Sequence, residues 1–369
     1  MASIQHLLDC GQSLWLDYVD RNLLTGGGLE RLVESGLRGV TSNPTIFHQA
    51  ITGSSAYDEA ILDLIQADPE VDAEVLYEWL AIQDIQMACD QLRPVYDRTE
   101  GKDGFVSIEV SPHLAHDTKN TIEQARHLWR SVHRDNVMIK VPATEAGLEA
   151  IENLTAEGLN INVTLLFAVE RYEQVFAAFS RGLGQRDNPR GVNSVASFFV
   201  SRVDGVVDPK LTAIGADATA YMHNAAIANA RMAYQSFEKM RRAPDFRALE
   251  QRGANVQRPL WASTSTKDPN LSDTLYIDTL IGPDTVNTVP PKTLDAVLEH
   301  GSAAVTIDND LEGARTTLDA LHKHGIDMAQ VAADLEADGV QKFIDSHDAL
   351  VAALQEKLRD VTARYAAQT

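Results

Sequence analysis

Eight short runs rich in β-branched and aromatic residues recur between residues 13 and 290, mostly with helical sequence between them. They are SLWLDYV (13–19), RGVTSN (38–43), FVSIEV (105–110), VMIKVPA (137–143), NINVTLL (160–166), VASFFVS (195–201), LWASTS (260–265) and TVNTVP (285–290). Strands that alternate with helices build a parallel sheet, because each crossover returns the chain to the same end of the sheet. Eight such units predict a TIM-type (β/α)8 barrel.

The segments between the runs fit that reading. Tyr172, Val175, Phe176, Phe179 and Leu183 recur at helical spacing, with Gly182 and Gly184 where that helix should end. Another helix should open at Asp117 as N-cap and carry Ile122, Ala125, Leu128 and Trp129 on one side. Two longer insertions, at about 44–100 and 210–255, are also helical in pattern. Beyond 290 the chain reads as helix, and 339–366 sets Phe343, Leu350, Leu354 and Val361 on one stripe that should pack on the barrel. With no repeat or linker, residues 1–369 read as a single domain: a barrel over about 13–300 and a helical C-terminal tail over about 301–369. Barrels remain one domain at lengths where most chains divide.

The formal net charge of -21 repels nucleic acid and anionic membranes, which argues against both as partners. An anionic substrate would therefore need a local cationic pocket. Cys10 and Cys89 form neither a disulfide framework nor a zinc pattern. The N-terminus shows no signal-peptide pattern, and no apolar run approaches membrane-spanning length. The expected location is the cytoplasm. Whether the chain forms a homo-oligomer stays open.

Successive side chains of a strand point to opposite faces, and both faces of a barrel strand should be largely apolar. Four strands break that rule on one face. Asp17 lies opposite Leu14 and Leu16, Glu109 opposite Ile108 and Val110, and Lys140 opposite Ile139 and Val141. Asn162 and Thr164 lie opposite Ile161, Val163 and Leu165. All five should project into the barrel near the carboxyl ends of the strands, where barrel active sites form. Each alone is explained as a satisfied ion pair or a strand-end residue reaching water. Five at one level call for function, because buried ionisable groups are costly unless paired or used.

Lys140 is the sharpest of them. Lys119, Lys239, Lys323 and Lys357 sit among charges on helical patterns, whereas Lys140 lies between apolar strand residues. Desolvation there favours a neutral amine able to attack a carbonyl, while a nearby carboxylate would hold it charged. The sequence does not decide between these. Metal binding has little support: His113 and His116 form an HxxH pair with no third ligand in the pattern, and His322 and His324 sit on a charged helical surface. All four read as surface histidines, and no metal or coenzyme is expected. Gly26–Gly28 lacks the dinucleotide-binding spacing and reads as a turn.

At these residues the chain resembles the transaldolase family, its longer bacterial-type subgroup in particular. The likeness rests on LWLDYV, GVTSNPTIF, SIEVSP, MIKVPAT, GLNINVTLLF and SFFVSR, spread across the whole barrel. Together these segments are highly specific. The resemblance implies that Lys140 is the Schiff-base lysine and that Glu109 shuttles protons through a water. It implies that Asp17 is the acid/base at the C4 hydroxyl and that Thr164 orients the catalytic water. Asn43 and Asn162 would hold the hydroxyls of a three-carbon unit, and Ser197 and Arg202 would bind phosphate. Where many family members carry arginine in the seventh-strand motif, this chain reads WASTSTKDP, so Lys267 would supply the cation as a point charge rather than a fork.

The implied activity is transfer of a dihydroxyacetone unit between sugar phosphates, within the pentose phosphate pathway, without a cofactor. A Schiff-base aldolase releasing free dihydroxyacetone would use similar residues. An isomerase would use a carboxylate base with no covalent adduct, and a non-catalytic sugar-phosphate-binding protein would have no need of both lysine and acids.

Overall fold

The computed structural model describes residues 4–366. All eight runs form strands: β1 (Gln12–Leu16), β2 (Gly39–Val40), β3 (Phe105–Glu109), β4 (Val137–Pro142), β5 (Ile161–Leu166), β6 (Ser194–Phe199), β7 (Arg258–Ala262) and β8 (Thr285–Val289). Each pairs in parallel with the next, and β1 pairs with β8, so the sheet closes into a barrel in chain order. No helix among the described residues is long and apolar enough to cross a membrane.

Two of the barrel's outer helices start at a side-chain cap. Asp117 accepts from the Asn120 N–H at the start of helix Thr118–Val132, and Thr144 does the same for Gly147 before helix Glu145–Glu157. Each satisfies a backbone donor that the first helical turn leaves unpaired. Helix Val169–Gly184 buries Tyr172, Val175, Phe176, Phe179 and Leu183, as their spacing requires. Gly26 and Gly27 form the turn between two short helices, with Gly27 left-handed at φ 70°, and Gly28 opens the second helix.

The first insertion holds helices Pro44–Thr52, Asp58–Ala67 and Ala73–Arg98; the second lies among Ser201–Ile214, Ala216–Thr219, Ala225–Arg241 and Pro244–Gln251. After β8 come Pro291–His300, Leu311–Lys323 and the long helix Met328–Ala366. Leu350 and Leu354 of this last helix are buried, as the stripe predicts. The helix also does more than pack on the side. It runs against helix Pro44–Thr52 and the end of β5, and it sends Phe343 into the cavity at the barrel mouth.

The opposite end of the barrel departs from the expected apolar filling. Ser13 Oγ and Trp15 Nε1 both donate to Asp103, the indole at 2.9 Å. Arg258 donates to Ser13 Oγ at 2.7 Å and stands 3.5 Å from Asp103. This network joins β1, β7 and the segment entering β3, and it is tolerated because every charge in it has a partner.

Trp15 fits above that network only because its neighbour in β2 is Gly39. A Cβ at Gly39 would lie 2.5 Å from the indole ring and 2.8 Å from the Phe105 carbonyl oxygen. Asp17 follows two residues later on the same face, so the indole forms the floor beneath it. Gly39→Ala should therefore destabilise the chain by about 1–3 kcal/mol through overpacking, measured as a lower denaturant midpoint. An unchanged midpoint would mean that the indole has room to move.

Candidate active site

Strand register sets the site. Glu109 pairs with Lys140 between β3 and β4, and Lys140 pairs with Asn162 between β4 and β5. The three side chains are therefore neighbours on one face. The Lys140 amine donates to the Ser42 carbonyl at 2.9 Å and lies 3.3 Å from Glu109 Oε2. Lys140 is 5% exposed and Glu109 9%, so solvent screens the pair weakly. Neither Glu109 oxygen takes a directed hydrogen bond from the described residues.

Asp17 lies just beyond β1. Its Oδ1 accepts from Thr41 Oγ1 at 2.6 Å, and that hydroxyl also meets Thr288 Oγ1 at 2.7 Å. Asp17, Lys140 and Thr164 line one cavity of 190 Å³ at the carboxyl ends of the strands, with Asn43, Ser197 and Arg202 also in its wall. Phe199 and Phe343 give it apolar surface, and the Phe343 ring centroid is 6.0 Å from the Lys140 amine.

Burial dominates the electrostatics of both acids. It raises the Asp17 carboxyl above its ordinary range; the Lys140 charge, the Thr41 hydrogen bond and the Arg202 charge oppose the rise without cancelling it. Burial raises Glu109 too, against the charge of Lys140, and the Asp17 charge adds to the rise. Both carboxyls thus hold protons more readily than exposed ones. That suits groups that must take and return protons near neutrality.

The remaining residues divide by position. Asn162 sits beneath the cavity, donating to Ser107 Oγ at 2.9 Å and accepting from Ser197 Oγ at 2.7 Å. Asn43 caps helix Pro44–Thr52, accepting from the Ile46 N–H at 3.0 Å, which leaves its amide N–H groups for the cavity. Arg202 opens the helix that follows β6; its guanidinium lies 5.0 Å from the Phe199 ring, and Nη1 is buried without a hydrogen bond. Burial lowers its pKa, against the charges of Asp338 and Asp17. Thr164 Oγ1 is also buried without a partner. Such orphaned groups at a cavity wall are suited to a ligand's polar atoms. Lys267 is exposed at the rim beside Ser263 and Ser265.

One strand does not follow the alternation inferred from sequence. Leu165 adopts φ 61°, and the pairing of β5 with β6 shifts register between Val163 and Leu166. Leu165 turns toward the C-terminal helix, where a Cβ at Gly339 would meet its Cδ2 at 2.9 Å. A bulge of this kind re-aims side chains at a strand end, and a left-handed leucine is costly enough to mark a functional segment. Sequence reading also missed Thr41, Thr288, Phe199 and Phe343. Thr41 alternates inward from Gly39, which was available as a signal; the lid contribution of Phe343 was not.

Fold and site together define a lysine-centred (β/α)8-barrel enzyme, with a buried amine flanked by two desolvated acids. Residues 14–354 match the family described as Transaldolase/Fructose-6-phosphate aldolase, and the chain belongs to that family. It is 48% identical to a transaldolase of Acidothermus cellulolyticus, with 96% of each chain covered. It is 46% identical to a transaldolase of Thermobifida fusca, covering 97% of this chain and 98% of the relative. It is 43% identical to transaldolase 2 of Nostoc punctiforme, again covering 97% and 98%.

The raised Asp17 carboxyl has a consequence for stability. The unfolded chain gives up this proton at lower pH than the folded one. Stability is therefore fullest below the ordinary aspartate range and falls as pH rises toward the shifted value. Asp17→Asn should melt above the parent at pH 7 while losing activity, and the difference should vanish below about pH 4. A lower melting temperature at pH 7 would make Asp17 a stabilising partner of Lys140 instead.

Proposed function

We propose that the chain catalyses the transaldolase reaction through a Schiff base on Lys140. The donors are fructose 6-phosphate and sedoheptulose 7-phosphate, and the acceptors are erythrose 4-phosphate and glyceraldehyde 3-phosphate. The reading rests on one observation above the others: an amine 3.3 Å from one desolvated acid shares its cavity with a second.

A ketose does not break its C3–C4 bond readily, because the electrons left on C3 have nowhere to go. The Lys140 amine attacks C2, and the carbonyl oxygen takes up two protons, one of them released by the amine nitrogen, and leaves as water. Glu109 is the group near enough to the amine to supply and recover those protons. The protonated imine then acts as an electron sink. Asp17 accepts the C4 hydroxyl proton, the C3–C4 electrons move into the imine, and an aldose departs. The three-carbon enamine stays bonded to Lys140 until a second aldose adds at C3 and the steps reverse.

The other residues fit supporting roles. Thr164 Oγ1 is free to orient the water of imine formation, and the amides of Asn43 and Asn162 suit the sugar hydroxyls. Arg202 supplies a cation at a helix N-terminus, a favourable arrangement for phosphate. Lys267 and Ser197 add a further charge and a hydroxyl. In a chain of net charge -21, such a local cationic wall is what draws an anionic sugar. We read the chain as a single-domain cytoplasmic enzyme of the pentose phosphate pathway that needs no bound cofactor.

Borohydride reduction in the presence of fructose 6-phosphate should fix a three-carbon adduct on the peptide carrying Lys140, and Lys140→Met should abolish it. An adduct on another peptide, or none, overturns the mechanism. Without acceptor the enzyme should stall after one half-reaction; steady release of free dihydroxyacetone would make it an aldolase. Arg202→Ala should raise KM for phosphorylated sugars by about 10–200-fold, as expected for losing 1.5–3 kcal/mol of charge-assisted hydrogen bonding, with a smaller change in kcat.

A further inference from the structure

The HxxH segment after β3 acquires in three dimensions what it lacks in sequence. The chain leaves Glu109 and enters a short 3-10 turn, Pro112–Leu114, which carries His113 to the flank of helix Met328–Ala366. There it meets His347 and Asp348. His113 Nε2 is 2.7 Å from Asp348 Oδ1, and His347 Nδ1 is 3.8 Å from the same oxygen. One ligand atom from each of the three residues lies within 4.8 Å of the others. His116 is not part of the group.

His347 is the independent pointer. It is only 3% exposed, and its Nδ1 is buried without a hydrogen bond. Its other ring nitrogen faces Glu74 Oε2 at 3.5 Å. An imidazole with one nitrogen toward a carboxylate and the other unpaired matches the way ligating histidines are oriented and made more basic. His113 and Asp348 are half-exposed, which gives an ion a path from solvent.

We propose that His113, His347 and Asp348 bind one divalent transition-metal ion of the Zn2+ type, fastening the C-terminal helix to the loop after β3. Two imidazoles and a carboxylate are a ligand set that zinc accepts, with a water completing the tetrahedron. Bonds of about 2.0–2.2 Å set tetrahedral ligand atoms about 3.4 Å apart, so the group closes on an ion with side-chain shifts of about an ångström. The site is poised between two working parts. Glu109 lies four residues before His113, and Phe343 lies one helical turn before His347. A bound ion therefore ties the helix carrying the aromatic cap of the Lys140 cavity to the strand carrying the proton shuttle. This role is separate from the chemistry at Lys140.

The test uses the tag-free, full-length chain after metal removal, titrated calorimetrically with Zn2+ and spectroscopically with Co2+. Binding of one Zn2+ per chain in the micromolar range or tighter is expected, together with a tetrahedral Co2+ spectrum and a raised melting temperature. His113→Ala and Asp348→Asn, both at exposed positions, should each weaken Zn2+ at least about 10-fold without altering the metal-free melt. They spare the buried His347, whose loss would disturb packing. Absence of saturable binding at about 100 μM Zn2+, or equal affinity in both variants, would overturn the proposal and leave an ordinary histidine–carboxylate pair.

Discussion

The structure depends on how one amine and two carboxyls share a barrel mouth from which water is largely excluded. Lys140 attracts both Glu109 and Asp17, yet burial raises both acids above their ordinary range despite it. Desolvation outweighs attraction. A stabilising ion pair has the opposite balance, with the acid held below its usual value. The site stores instability, and that instability is useful because it leaves two groups ready to take and return protons beside an amine.

Such a cluster persists because its surroundings fix it. Register across β3, β4 and β5 makes Glu109, Lys140 and Asn162 neighbours whatever their side-chain energies. Below them, Asn162 is held from both sides by Ser107 and Ser197, so it cannot relax away from the lysine. At the far end, Asp103 gathers Ser13, Trp15 and Arg258 into a polar floor, and Gly39 leaves room for the indole under Asp17. Above, the C-terminal helix supplies Phe343, whose ring lines the cavity with apolar surface and so disfavours water there. The transaldolase-family chemistry needs that exclusion, since an enamine exposed to water would be protonated and its fragment lost.

What was legible in the sequence was whatever depended on short-range periodicity. The two-residue alternation put Asp17, Glu109, Lys140, Asn162 and Thr164 on one face, and all five project inward. Leu165 escaped the same rule, because a bulge and a left-handed backbone are set by the pairing of β5 with β6, not by its own neighbours. Phe343 carried a visible signal, the apolar stripe of a helix, but the signal does not say which part of the barrel the stripe covers. His347 and Asp348 are far from His113 in the chain, so no spacing pattern could join them. The floor network was hidden for a related reason: Ser13 and Asp103 look like strand-end polarity until Arg258 is brought across the barrel.

The central claim is that burial controls the protonation of the acid beside the amine. It is tested most directly by carbon NMR of chain labelled at the glutamate δ-carbons, with Glu109→Gln used to assign the Glu109 resonance. The account predicts that this carboxyl titrates clearly above the exposed glutamates. A midpoint within or below their range would show that attraction to Lys140 wins, and the picture of a desolvated, proton-ready site would be wrong.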